Sequence, residues 1–252
     1  MEILITNDDG FNSKGLHVLV RQMQILGHVT VVAPDGARSG QSSAISVMKP
    51  MRLKRIEEAE NKDVDFYISN GTPADCVKLA LNILYKDHYP DLVVSGINHG
   101  SNASVNVVYS GTMGAIFVAA EHSIPAIGFS LCAHEAVADF SEIERYICPL
   151  TERLLSRPFP YGFCYNINAP KGPIAGVKIT RQCNGYWEKE IKEYVDPNGE
   201  PFYWLVGDFV NCEPDNEDTD EWALSHGYIA ITPTSIDMTD NRWNDLTDIG
   251  LV

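Results

Sequence analysis

Short apolar runs alternate with helical patterns along roughly the first 130 residues of the chain. The runs EILIT, HVTVVAP, DLVVSG and PAIGFS are largely apolar, which is typical of strands buried on both faces of a parallel sheet. Stretches between them, such as GLHVLVRQMQILG, carry apolar residues at helical spacing. The pattern predicts a three-layer, Rossmann-like α/β fold, with a mostly parallel sheet and helices on both faces.

Local signals refine the boundaries of these elements. Thr72, Pro73 and Asp75 match a capping box with proline at the first helical position, so a helix is predicted to begin there. A second amphipathic pattern predicts a helix over about 139–156, followed by the strand FCYNINAP. Residues 40–66 break the alternation, and we predict that they form an inserted extended arm.

Beyond roughly residue 170 the pattern changes. The aromatic-rich segments GVKITRQCNGYWEKEI and EPFYWLVGDF predict hairpin strands, and EPDNEDTDEWALSHGYIAITP predicts an acidic loop, a short helix and a strand. We therefore predict a single domain, 1–252, with a C-terminal β-hairpin and helix extension. Its core is predicted at about 1–170 and 225–234, and its extension arms at about 185–210 and 235–252.

The C-terminal tail carries apolar side chains that need a partner surface. They are Trp243, Leu246, Ile249 and Leu251. Because the tail is too short to bury these groups by itself, we predict that it leaves the domain and packs against another surface.

Charge and cysteine content narrow the function classes. A net charge of −15 argues against binding to duplex nucleic acid or to an anionic membrane. The six cysteines have no C-x-x-C spacing, which predicts reduced thiols and neither a disulfide frame nor a zinc site. No signal-peptide pattern precedes the first strand and no apolar run reaches membrane-spanning length, so the expected location is cytoplasmic.

Polar side chains follow three of the predicted strands. They are Asp8 and Asp9 after the first strand, Arg38 and Ser39 after the second, and Asn98 and Asn102 after the strand 91–95. Ligands of open parallel sheets bind where the carboxyl ends of strands meet, so these loops predict a shared site. Apart from the arginine these are oxygen donors, which suit Mg²⁺, Mn²⁺ or Ca²⁺ and not zinc. The competing interpretation is a helix cap or Asx-turn at each loop.

Several familiar sites are excluded by their missing signatures. The first strand is not followed by G-x-G-x-x-G, and the chain contains no P-loop, no G-x-S-x-G elbow and no H-E-x-x-H. One phosphate-binding feature remains, because Ser110, Gly111 and Thr112 begin a predicted helix whose first amides could receive a phosphate. The alternative is an ordinary helix cap at the same residues.

Six segments together resemble one known family. ILITNDDG, VVAPDGARSG, GTPADCVKLAL, SGINHGSN, YSGTMGA and DTDEWALSHGYIAITP are similar, in order, to the motifs of the SurE family, the survival protein E 5'-nucleotidases, also described as metal-dependent acid phosphatases. The resemblance implies hydrolysis of nucleoside 5'-monophosphates, and also 3'-monophosphates, by a hydrolase with one divalent cation per subunit, Mg²⁺ or Mn²⁺ or alternatively Ca²⁺. It also implies a homodimer or homotetramer with exchanged C-terminal arms.

Roles are predicted for the residues of this site, the metal ligands from the resemblance and the others from the residues themselves. The implied metal ligands are Asp8, Asp9, Ser39 and Asn98, and the predicted catalytic residues are Asp8, Asp9 and Asn98. The predicted phosphate-binding residues are Ser39, Gly40, Asn102, Ser110, Gly111 and Thr112. Whether Asp8 acts as general base or as nucleophile is left open.

The chain also departs from the family pattern. After Asn102 the family continues with glycine and often an acidic residue, whereas this chain has ASVN, so Asn106 stands where a carboxylate is common. This departure bears on substrate preference. His99, beside Asn98, is either a proton donor to the leaving group or a solvated neighbour.

Two rival classes also place acidic residues after a first strand. A phosphatase of the haloacid-dehalogenase type requires D-x-D, and the aspartates here are adjacent. A phospho-receiver signalling domain requires an acceptor aspartate at the end of its third strand, but the strand 91–95 is followed by Gly96, Ile97 and Asn98. A purely metal-binding role is the third alternative, and measurable turnover would exclude it.

Overall fold

The computed structural model describes residues 1–57, 63–133 and 138–240. Thirteen strands lie in these ranges: β1 (Glu2–Thr6), β2 (His28–Pro34), β3 (Leu53–Ile56), β4 (Val64–Ser69), β5 (Leu92–His99), β6 (Ala126–Leu131), β7 (Phe163–Ala169), β8 (Gly176–Ile179), β9 (Gly185–Glu188), β10 (Ile191–Val195), β11 (Pro201–Leu205), β12 (Asp208–Asn211) and β13 (Tyr228–Ser235). The five α-helices are α1 (Lys14–Met23), α2 (Pro73–Leu79), α3 (Gly111–Ala120), α4 (Ser141–Leu155) and α5 (Asp220–Ser225).

Nine of the strands form one sheet in the order β3-β4-β2-β1-β5-β6-β7-β13-β8. Neighbours from β4 across to β7 are parallel, whereas β3 at one edge and β13 beside β7 run antiparallel to these neighbours. The mostly parallel α/β fold predicted from the sequence is therefore confirmed. β8 joins this sheet beside β13, although it lies outside the range predicted for the core.

Helices cover both faces of the sheet. Side chains of α1 and α4 pack in one buried cluster with β1, β2 and β5, and those of α2 and α3 pack in a second cluster. The capping box at Thr72 and Asp75 forms as predicted, and a π-helical turn, Ala80–Leu84, follows α2. Among the described helices none is both long and apolar enough to cross a membrane.

The four strands outside the sheet form an arm, which we define as residues 185–211. β9 pairs with β12 and β10 pairs with β11, both antiparallel, as the aromatic-rich segments predicted. Every residue of β10 and β11 is exposed. The four apolar residues of the C-terminal tail lie outside the described residues, as do all positions from 241 onwards.

Two strand ends meet at the centre of the sheet. The chain leaves β1 towards β2 on one side, whereas β5 lies on the other side of β1, so β1 and β5 flank the point where strand order reverses. The strand predicted at 91–96 extends to His99, past an irregularity between Ser95 and Asn98 in its pairing with β6. Asn98 is therefore fixed by strand pairing beside the residues that follow β1.

Candidate functional site

The turn after β1 is held by one buried amide. Asn7 is fully buried, and its side-chain nitrogen donates to the Gly10 carbonyl at 3.0 Å and to Ser13 Oγ at 2.7 Å. Gly10 has φ +89°, and a Cβ there would lie 2.9 Å from the Gly36 backbone, so only glycine fits. Since Ser13 also caps α1, the two aspartates are anchored between a strand and a helix.

Asp8 is the buried member of the pair, with 4 % of its surface exposed. Its Oδ1 accepts a hydrogen bond from Thr112 Oγ1 at 2.7 Å, and its carbonyl accepts from the Arg38 amide at 2.6 Å. Burial raises the pKa of the Asp8 carboxyl to about 6, partly offset by the Thr112 bond, and repulsion from Asp9 adds to the rise. Burial therefore disfavours the charged form of Asp8, and a cation bound beside it would stabilise that form.

Asp9 faces the end of β5. Its Oδ2 accepts from the His99 amide at 3.1 Å, which opposes the rise in its pKa caused by burial. The Asn98 side-chain nitrogen donates to the Gly100 carbonyl at 2.9 Å. Its amide oxygen has no partner among the described residues, so it remains available as a ligand.

The donor set fits a divalent cation that prefers oxygen. Within the described ranges neither Asp8 nor Asp9 forms a salt bridge, although electrostatic attraction from His99 partly offsets the rise in the pKa of Asp9. Nor do those ranges contain a group of three His, Cys, Asp or Glu side chains placed for a metal ion. Two carboxylates completed by the neutral oxygen of Asn98 suit Mg²⁺ or Mn²⁺ better than zinc.

The N-terminus of α3 packs directly against Asp8. A Cβ at Gly111 would lie 2.9 Å from Asp8 Cβ and 3.0 Å from its Oδ2, so glycine permits this approach. Ser110 caps the helix by accepting from the Met113 amide at 3.0 Å. The positive end of the helix dipole therefore points at the acidic pair.

A cavity of about 320 Å³ opens beside these groups. Five of the predicted site residues line it: Asp8, Gly40, Asn98, Asn102 and Ser110. The other four lie around it. Asp9 accepts a hydrogen bond from the His99 amide, and Thr112 donates one to Asp8. Gly111 packs on Asp8, and Ser39 is an exposed neighbour of Gly40.

A buried polar network fixes the loop after β5. The Asn102 amide donates to Asn168 Oδ1 and its side-chain nitrogen donates to Ser130 Oγ, both at 2.8 Å. Asn166 Nδ2 donates to the Asn102 carbonyl at 2.8 Å. Asn166 and Asn168 were not predicted as site residues, although two asparagines at alternate positions of a buried strand are a signal that could have identified them.

The C-terminal extension supplies lining residues that the sequence analysis missed. Trp187 and Phe209 of the arm reach the cavity, and Glu221 lines it from the first turn of α5. Burial raises the pKa of Glu221 to about 7, and the charge of Asp220 adds to the rise. No local sequence signal linked these residues to the β1 and β5 loops, since only the fold brings them together.

Known proteins resemble this chain along nearly its whole length. A sequence model of the family described as Survival protein SurE matches residues 3–189. The chain belongs to the SurE family. It is 48% identical over 238 residues to the 5'-nucleotidase SurE of Phocaeicola vulgatus, a match covering 94% of this chain and 91% of that protein. It is 45% identical over 243 residues to the 5'-nucleotidase SurE of Cytophaga hutchinsonii, covering 95% and 93% of the two chains.

A solved structure of the SurE family has the same fold. The crystal structure of the SurE protein from Aquifex aeolicus matches with a TM-score of 0.83 and 33% sequence identity, covering 98% of each chain. The resemblance drawn from the six motifs is thereby confirmed.

Proposed function

We propose that this chain is a metal-dependent 5'-nucleotidase, a phosphomonoesterase that releases phosphate from nucleoside 5'-monophosphates and also 3'-monophosphates. The observation that carries the proposal is the adjacent pair of buried Asp8 and half-buried Asp9, set against the N-terminus of α3 at the edge of a cavity. Relatives at 48% and 45% identity bear the name 5'-nucleotidase SurE, which supports the same activity here.

The metal ligands in this proposal are Asp8, Asp9, Ser39 and Asn98, with one Mg²⁺ or Mn²⁺ per subunit. A divalent cation held there supplies Lewis-acid stabilisation of negative charge on the phosphate oxygens. Thr112 orients Asp8, and the His99 amide orients Asp9, so both carboxylates are fixed before substrate binds.

The remaining residues of the proposed site bind the phosphate group. Ser110 and Gly111 present the positive end of the α3 dipole, while Gly40 and Asn102 line the cavity. The network of Asn166 and Asn168 beneath Asn102 holds this wall in place, so the phosphate meets donors that need little rearrangement.

A substrate panel tests the proposal. We expect hydrolysis of AMP and GMP in the presence of Mg²⁺ or Mn²⁺, loss of activity on chelation, and little hydrolysis of a bis-ester. A diester lacks the terminal dianionic phosphate that the cation and the helix amides would hold. Equal rates on monoester and bis-ester would show that the substrate class is wrong.

The rival classes are not favoured by the family assignment or by the residues. The aspartates are adjacent and not in D-x-D spacing, so trapping of a covalent phosphoaspartate would be needed to revive the haloacid-dehalogenase alternative. This chain has no counterpart of the acceptor aspartate that a receiver domain requires, because β5 ends in Asn98 and His99.

The proposal extends to assembly and location. We place the protein in the cytoplasm, which accords with its six free cysteines. We also propose a homodimer or homotetramer with exchanged C-terminal arms, supported by the exposed apolar side chains of β10 and β11.

A further inference from the structure

The cavity has a second wall that the phosphate chemistry does not use. Asn106, Tyr109, Trp187, Phe209 and Glu221 line it together with the acidic site. Three of these are aromatic, whereas the residues at the phosphate side are small or polar. Such a mixture of aromatic faces and a few polar groups is typical of a pocket for an organic ligand.

Trp187 is held in place from two sides. Its indole N–H donates to Asn106 Oδ1 at 2.8 Å, and its ring meets Phe209 edge-on with centroids 5.7 Å apart. Asn106 is the position where the sequence departs from the family's common carboxylate. A fixed indole costs little conformational entropy when a planar ligand stacks against it.

The segment just before the arm is hydrogen-bonded, through Asp220, to the loop that follows the phosphate site. Asp220 is fully buried, and its carboxylate accepts from the amides of Ser104 and Cys183 at 2.8 and 2.9 Å. Ser104 begins the 3-10 helix that carries Asn106, and Cys183 lies two residues before β9. Trp187 is therefore set at a fixed position relative to Asn106 and the cavity.

Glu221 supplies the polar group of this wall. Within the described ranges its carboxylate has no hydrogen-bond or ion-pair partner, and burial near Asp220 raises its pKa to about 7. A carboxylate repels a phosphate group and accepts hydrogen bonds from hydroxyl and N–H donors. Its position therefore predicts the orientation of the bound substrate, with the phosphate near Asp8 and the organic part near Glu221.

We propose that Trp187 and Phe209 bind the base of the nucleotide by stacking, and that Glu221 accepts hydrogen bonds from the nucleoside. This inference rests on the proposed nucleotidase function and assigns substrate preference to the arm. Base–aromatic stacking contributes roughly fivefold to a hundredfold in affinity per base. A phosphomonoester without a base gains nothing from the stacking on Trp187 and Phe209, although its sugar hydroxyls can still donate to Glu221.

The test compares AMP with ribose 5-phosphate, which has the same sugar and phosphate but no base. We expect wild type to favour AMP in kcat/KM, and Trp187→Leu to raise the KM for AMP roughly tenfold. The variant should change kcat/KM for ribose 5-phosphate by less than about twofold. Trp187→Phe, which keeps a ring, should retain much of the preference.

Two further variants control for folding and for the arm itself. Tyr186→Leu alters the neighbouring residue of β9, which does not line the cavity, and should leave the preference unchanged. If Trp187→Leu does not fold, Phe209→Leu provides the same comparison. Equal loss on both substrates, or no loss on AMP in a folded variant, would overturn the proposal.

Direct binding separates this inference from the proposed reaction. Calorimetry with adenosine, which carries no phosphate, should detect binding to wild type and weaker binding to Trp187→Leu. Should the enzyme hydrolyse no phosphomonoester, the proposed function fails while adenosine binding still decides the subsite. Absence of adenosine binding, together with equal kcat/KM for the two phosphates, would refute the subsite alone.

Discussion

The acidic site and the arm differ in where their side chains find partners. Asp8, Asn7 and Thr112 are almost fully buried and are hydrogen-bonded inside one chain. In the arm, by contrast, Trp204 and Leu205 are 62 % and 73 % exposed. The first region is completed by its own fold, whereas the second presents apolar surface for which this chain offers no cover among its described residues.

The difference assigns hydrolysis to the sheet loops and the binding of the substrate's base to the arm. The sheet fixes two carboxylates whose mutual repulsion and burial are unfavourable until a cation is present. The arm contributes to the same cavity through Trp187 of β9 and Phe209 of β12. Changes in the sheet loops should therefore affect turnover on every substrate, whereas changes in the arm should affect assembly or the choice of substrate.

The largest effect is expected from Asp9→Asn. The substitution keeps the shape of the side chain and its bond to the His99 amide but removes one of the two charges that hold the cation. Turnover should fall roughly a hundredfold or more, the scale seen when one electrostatic partner is lost. Steady-state kinetics across a metal titration, with circular dichroism as a check on folding, measures this.

Near-normal activity of Asp9→Asn at low metal concentration would show that the pair is a turn and not a metal site. Asp35→Asn is the matched control, because Asp35 lies on the neighbouring loop, is exposed, and pairs with Arg38. It should retain most of the wild-type turnover.

The next effect concerns stability of the metal-free protein. The pKa of Asp8 is raised from 3.8 to about 6 in the folded state, so the folded state binds the extra proton between these values. The contribution of Asp8 to the free energy of unfolding is therefore fully present below about pH 4 and is lost as the pH rises through about 6. Asp8→Asn cannot ionise, so relative to wild type it should gain about 2 kcal/mol over this range.

Urea unfolding of both proteins in chelator, at steps from pH 4 to pH 7, gives the two free energies of unfolding. Acids remote from the site titrate equally in both proteins, so the difference isolates Asp8 together with its coupling to Asp9. A difference that stays constant with pH would contradict the assignment of this carboxyl as the strained group.

Sequence patterns predicted the sheet region well because its signals are local. The run before Asp8, the capping box at Thr72 and the strand His28–Pro34 each depend on neighbouring residues alone. The extension of β5 to His99 depends on pairing with β6, which local propensity does not encode. For the same reason Glu221 and Trp187 were missed, since contacts over such sequence separations arise only from the complete fold.

A smaller effect is expected from Gly111→Ala. The added Cβ would lie 2.9 Å from Asp8 Cβ, so α3 and the aspartate must separate by a few tenths of an ångström. We expect about a tenfold loss of turnover, because misplacement of a catalytic group of up to about 1 Å costs up to about a hundredfold. Gly36→Ala is the control, since nothing lies within 4 Å of its Cβ position. Equal activity of the two variants would show that the approach of α3 is unimportant.

The smallest effect is expected in the arm, from Leu205→Thr. Leu205 pairs with Ile191 across the β10–β11 hairpin, and threonine preserves the strand while removing apolar surface. If the arm is buried between subunits, a loss of about 1 kcal/mol summed over the two copies in the dimer should raise its dissociation constant roughly fivefold. Ile25→Thr, at a site 66 % exposed outside the arm, should leave it unchanged.

Sedimentation equilibrium at micromolar concentrations measures this constant for wild type and both variants. Turnover per chain on ribose 5-phosphate should stay level as the dimer dissociates, because Asp8, Asp9 and Asn98 all belong to one chain. A wild type that is monomeric at these concentrations would refute the subunit contact. If turnover instead falls as the dimer dissociates, the contact between arms is required for hydrolysis. The inference that the arm affects only assembly and substrate choice would then be wrong.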